Sequence, residues 1–109
     1  MENEMENQLS ELQDLQARLQ ALMIEKQQLI LQQGDMDRAL TSLKDVEGKT
    51  YEMIGTLLVE KKKEDIEKDL LERKQLVEVR LESIDRNERI LRSRMKAIAE
   101  KLEGAQGGS

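Results

Sequence analysis

Between Met5 and Glu47 the apolar residues fall on two interleaved rows with a seven-residue repeat. Met5, Leu12, Leu19, Lys26, Gln33 and Leu40 form one row and Gln8, Leu15, Leu22, Leu29, Met36 and Leu43 the other; nine of these twelve positions are apolar. Such rows are the a and d positions of a coiled coil, so the pattern predicts one long helix over 5–47. Good helix formers, Gln, Glu and Leu, dominate this stretch, and proline is absent from the chain. Gly34 interrupts them at a cost of about 1 kcal/mol relative to alanine and marks a kink or flexible point. Gly48 suits the left-handed position that ends a helix. Ser10 and Gln13 offer an alternative start, a capping box that would leave residues 1–9 frayed.

A second seam runs from Asp65 to Glu103. Leu70, Val77, Ile84, Leu91 and Ile98 occupy every seventh position without a miss as a d row, beside an a row of Lys74, Leu81, Glu88, Met95 and Leu102. A helix over 65–103 follows. Gly104 is expected to end it, with residues 104–109, including Gly107, Gly108 and Ser109, as a flexible tail. Each helix would be roughly 60 Å long at 1.5 Å per residue and needs a partner for its seam.

The connection over 49–63, KTYEMIGTLLVEKKK, abandons the heptad for β-compatible residues around a glycine. Glycine at the first central position is what a two-residue type II′ turn requires, so Gly55-Thr56 predicts a hairpin whose paired residue numbers sum to about 111. The seams supply an independent check. Folding the helices back antiparallel pairs Leu12 with Ile98, Leu19 with Leu91, Leu29 with Leu81 and Leu40 with Leu70, each pair summing to 110. Two unrelated signals place the fold-back at one point, and the expected fold class is mainly α: an antiparallel two-helix coiled coil with a short β-hairpin at the connection. Lys26 and Glu88 lie in adjacent layers and are expected to pair across the seam, fixing its register at some cost in stability. The flanking g rows, Glu4, Glu11, Arg18, Glu25 and Gln32 against Arg73, Arg80, Asn87, Arg94 and Lys101, are complementary apart from Arg18.

The hairpin is apolar on both faces, with Tyr51, Met53 and Leu58 on one and Ile54, Leu57 and Val59 on the other. A lone two-stranded hairpin is marginal in water, so it is expected to seek other strands; the plainer alternative folds these residues back over the end of the coiled coil.

Composition narrows the function. Cysteine and histidine are absent, which removes disulfides, zinc sites, thiol nucleophiles and imidazole bases. The carboxylates are strung along helices, so no enzyme, metal or cofactor is expected. A net charge of −5 and a single aromatic residue, Tyr51, argue against nucleic-acid binding. Arg86, Arg89, Arg92, Arg94 and Lys96, interspersed with Asp85 and Glu88, read as a solvated and balanced face. No apolar run approaches the roughly 18 residues of a membrane span, and the N-terminus is acidic where a signal peptide is basic, so a soluble cytoplasmic protein is expected.

The order of long helix, single β-hairpin and long helix resembles the β-type subunits of the prefoldin family. The local likeness lies in TYEMIGTLLVEKKKEDIEKDL, residues 50–70: a Tyr, a Gly at the tip, a Leu-Val pair and a Lys/Glu-rich lead into the second helix. ALTSL at 39–43 adds weaker support, and Gly34 departs from the helix formers the family has there. The resemblance implies that hairpins from several subunits close into β-barrels through Tyr51, Met53, Ile54, Gly55, Leu57, Leu58 and Val59. It also implies that the coiled coils hang from that body and hold unfolded client proteins at their free ends, here Met5, Leu9, Leu12, Ile98 and Leu102. An ATP-independent holdase follows, with an α-type subunit in a hetero-hexamer of two α and four β chains and a group II chaperonin as partners. The alternative is a structural coiled-coil tether or adaptor that forms a homo-oligomer and uses the middle segment as a plain loop.

Overall fold

The computed structural model of the chain describes residues 2–107, with side chains for 3–105. Four elements follow one another: α1 over Glu2–Lys44, β1 over Tyr51–Ile54, β2 over Leu57–Glu60 and α2 over Lys63–Gly107. The two strands form one antiparallel sheet.

The chain divides into two compact units. In the first, the part of α1 through Gln27 pairs with the part of α2 from Glu82 onward. Its core is a seam in which Leu15, Ile84 and Ile98 are buried, flanked by half-buried Leu12, Leu19, Leu22, Leu91, Met95 and Leu102. The second unit spans Gln28–Leu81. There Val77 is buried and Leu29, Met36, Leu40, Leu43, Leu70 and Leu81 are half-buried. The four buried residues all occupy d positions of the heptad pattern, as burial of a coiled-coil seam requires. A lysine bridges each seam: Lys26 reaches Asp85 in the first unit and Lys74 reaches Asp37 in the second.

Both helix boundaries differ from the expected 5–47 and 65–103. α1 begins at Glu2, so Ser10 lies inside the helix and the capping-box start is not used. Early glutamates suit this end because the helix dipole favours negative charge there. α1 stops at Lys44, three residues short of the expectation, in a tightened last turn: the amides of Asp45 and Val46 donate to the carbonyls of Ser42 and Leu43 at 3.2 and 3.3 Å. Gly48, at φ 91°, takes the left-handed conformation expected of it, but in the connector rather than at the helix end.

α2 begins at Lys63, with Glu64 and Asp65 in its first turn, and continues through Gly104 to Gly107. The expected tail is therefore corrected: residues 104–107 are helical, and Gly108 and Ser109 lie outside the described residues. Gly104 has no positive φ. A glycine in a helix interior costs about 1 kcal/mol without reversing the chain, and no proline follows to stop propagation. Gly34 likewise sits within unbroken α1.

Candidate functional site

The hairpin is built around Gly55. Its φ of 59° is positive, and no described residue other than glycine has positive φ, so Thr56 does not. A left-handed first central residue followed by a right-handed second one fits the type II′ turn and excludes type I′. Ile54 pairs with Leu57, Met53 with Leu58, Glu52 with Val59 and Tyr51 with Glu60, the register expected from the sequence. Residues opposite one another share a face, so Tyr51, Met53 and Leu58 stand on one side and Ile54, Leu57 and Val59 on the other. None of the six is covered: exposure runs from 42% at Val59 to 68% at Leu57. Folding back over the end of the coiled coil, the plainer alternative, would have buried some of them.

The base of the hairpin is tied down by charge. Below the strands, the Lys61 amide donates to the Thr50 carbonyl at 3.0 Å and the Thr50 hydroxyl donates to the Lys61 carbonyl at 2.5 Å, which extends the ladder by one pair. The Lys61 ammonium bridges Glu52 of β1, at 2.9 Å, and Asp69 of α2. Arg73 approaches the other Glu52 oxygen at 4.0 Å. The Asp69 and Glu52 carboxylates hold the Lys61 ammonium above the usual lysine range, and Lys61 in turn holds Asp69 below the usual carboxylate range. A second lysine closes the junction: the Lys63 ammonium donates to the Lys44 and Val46 carbonyls at 3.1 and 3.2 Å, capping α1 with the first residue of α2. Lys49 lies 3.9 Å from Glu60.

The heptad and hairpin patterns do not reveal these anchors. Lys61 and Asp69 fall in a Lys/Glu-rich run whose composition reads as solvent-facing, and only the hairpin register brings Glu52 to the same lysine.

The client-contact candidates of the first unit divide by access. Met5 and Leu9 are exposed at 37% and 45%. Leu12 and Leu102 are half-buried seam positions, and Ile98, at 8%, is enclosed in the seam.

Farther along the same seam, the Lys26 ammonium meets the expected Glu88 carboxylate at 3.3 Å and also Asp85 at 3.1 Å. Asp85 and then Glu88 hold Lys26 above its ordinary range. Glu88 is held below the carboxylate range by Arg92 and Lys26. In the second unit Lys74 pairs with Asp37 at 2.7 Å, which keeps the lysine above its ordinary range. Arg18, the exception in the g rows, turns to Asp14 on its own helix at 3.1 Å. Among the described residues no cluster of three or more potential metal ligands occurs, and no helix is long and apolar enough to cross a membrane.

Comparison with known proteins converges on one family. The family described as prefoldin subunit matches residues 6–109. The prefoldin subunit beta of Archaeoglobus fulgidus is 35% identical over 102 residues, covering 92% of this chain and 88% of that protein. The prefoldin subunit beta of Methanosarcina acetivorans is 31% identical over 106 residues, covering 95% and 91%. The crystal structure of the prefoldin beta subunit from Thermococcus strain KS-1 superposes with a TM-score of 0.84 at 26% identity, covering 94% of this chain and 91% of that one.

Proposed function

The chain belongs to the prefoldin subunit family, and from that premise we propose that it is a β-type co-chaperone subunit acting as an ATP-independent holdase in the cytoplasm. It captures unfolded proteins at the ends of its coiled coil and passes them to a group II chaperonin. Hairpins of neighbouring subunits close into β-barrels, with this chain and an α-type partner in a hetero-hexamer of two α and four β subunits.

The observation that carries this reading is the hairpin. Its six apolar side chains are exposed on both faces, while the strands are held in shape at their base by Lys61, Glu52 and Asp69. A small sheet with apolar surface and no core of its own is stabilised by adding strands from other chains. The anchoring lowers the entropic cost of joining them, because the strands are ordered before association. Tyr51, Met53, Ile54, Leu57, Leu58 and Val59 supply the contacts and Gly55 the turn.

Client capture falls first to Met5 and Leu9, exposed near the start of α1. Methionine and leucine adapt to many apolar shapes, and several subunits presenting such ends add avidity to individually weak contacts. Leu12 and Leu102 join them when the end turns splay apart, and Ile98 only when the seam opens.

The test is native mass spectrometry of the complex purified gently with a tag on this chain, followed by light scattering of a chemically unfolded client. The expected result is a mixed hexamer that suppresses aggregation without ATP, with suppression weakened when Met5 and Leu9 are both changed to serine. A homodimer lacking any second helical-hairpin subunit would leave the coiled-coil tether as the account of this chain.

A further inference from the structure

We infer that the charged layers of the seam select the pairing partner of each helix: they admit the antiparallel match of α1 with α2 and reject parallel pairing of either helix with its own copy. Lys26 occupies an a position in α1, and its ammonium reaches Asp85 at 3.1 Å and Glu88 at 3.3 Å on α2. Lys74 occupies an a position in α2 and reaches Asp37 on α1 at 2.7 Å. Both aspartates stand at e positions, one step from the d row. The arrangement is reciprocal, since each helix lends a seam lysine and receives it on an aspartate. In both bridges the residue numbers sum to 111, the register of the hairpin strands.

The remainder of the seams carries little discrimination. Leucine, isoleucine, valine and methionine fill most a and d positions of both helices, and such seams pair readily with copies of themselves. In parallel pairing a faces a. Two α1 helices would then set Lys26 against Lys26, and two α2 helices would set Lys74 against Lys74 and Glu88 against Glu88. The side chains of Lys26, Lys74 and Glu88 are 33%, 31% and 20% exposed in the present seam, so solvent screens them only in part. Like charges held there repel while Asp37 and Asp85 lose their lysines. Discrimination thus comes from unfavourable contacts in the wrong pairs as much as from favourable ones in the right pair.

The chain contains no cysteine, so one introduced thiol reports on self-pairing. Leu19→Cys places it at a half-buried a position of α1. A parallel α1 pair would bring two such thiols face to face, whereas the native fold sets the thiol against α2 with no partner. Under mild oxidation the full-length L19C chain is expected to give little interchain disulfide. Adding K26L, K74L and E88L is expected to raise it at least about tenfold with helicity retained. Inverting the layer instead, with K26E, D85K and E88K, is expected to hold it at the L19C level, because opposite charges still meet across the native seam and like charges still meet in the parallel one. The milder K26L with L19C is read beside them and is expected to shift in the same direction. The inference is overturned if neither leucine variant crosslinks more than L19C, or if the inverted chain crosslinks as readily as the triple leucine variant.

Discussion

Ile84 is fully shielded from solvent, whereas Ile90, six residues further along α2, keeps 49% exposure. Replacing each in turn by alanine removes the same three carbons from the same helix, so the comparison isolates burial in the seam. At about 0.8 kcal/mol per buried methylene, Ile84→Ala loses roughly 2.4 kcal/mol of transfer energy before any cavity term. Alanine returns about 0.4 kcal/mol of helix propensity, and a two-helix seam can close partly over the gap. A net loss of about 2–3 kcal/mol follows, in the lower half of the range for large-to-small core changes. With an unfolding entropy near 2.1 cal/mol/K per residue, a chain of 109 residues melts lower by about 10 °C. At Ile90 the transfer loss is about half as large and the propensity gain the same, which leaves a loss of about 0.8 kcal/mol and a shift of roughly 3–4 °C. The assay is thermal unfolding followed by helix circular dichroism at matched protein concentration, since self-association raises the apparent melting temperature. Equal shifts at the two sites, or a shift at Ile84 below about 3 °C, would refute the assignment of the seam as the source of stability.

Other outcomes are equally definite. Ile54→Lys with Leu57→Lys puts two charges on one apolar hairpin face, and native mass should fall to that of smaller species while helicity is kept; an unchanged mass would remove the hairpin from the assembly interface. Gly34→Ala should stabilise the chain by up to about 1 kcal/mol, or about 4 °C, because an added methyl meets only the exposed end of the Arg38 side chain, at 3.6 Å. A lowered melting temperature would mean that α1 needs the glycine. Gly55→Val has open space around the new side chain but forces a β-branched residue to φ 59°, so assembly should weaken, and far less so for Gly55→Asn.

The pH response follows from the anchors. Asp69 and Glu88 have depressed folded-state values, so their stabilisation is present above the unfolded carboxylate range near pH 4 and is lost as pH falls through the folded values. Lys26 and Lys61 have raised values, so theirs is present below about pH 10.4 and is lost as pH rises through the folded values. Melting temperature should show both slopes, and Lys26→Met with Lys61→Met should flatten them. Identical profiles for variant and parent would separate these pairs from folding.

The periodic parts of the fold were legible because burial and periodicity are one fact in a coiled coil. Leu15, Val77, Ile84 and Ile98 are buried where a seven-residue repeat leaves no other face for them. Gly55 was equally readable, since few residues tolerate its backbone. What escaped depended on reach. Lysine has a long stem that carries its charge out of an a position to a neighbouring e position, so Asp85 and Asp37, which look like ordinary surface residues, became seam partners. The same reach takes Lys63 back onto the Lys44 and Val46 carbonyls, near the point where α1 ends earlier than its composition suggested. Gly104 misled for a different reason: glycine permits a helix to end but does not compel it.

A sheet of two strands has two outer edges, and in this chain β1 and β2 each present one. Each edge carries unpaired amides and carbonyls that can accept a strand. Adding one neighbour satisfies a single edge and presents a new one, so a row of such hairpins stops growing only by closing on itself. On the proposed barrel assembly, an incomplete ring would stay adhesive at both ends, and surplus free chain would be a hazard to itself. A cell that builds such a ring would benefit from making this chain in step with the subunit that closes it.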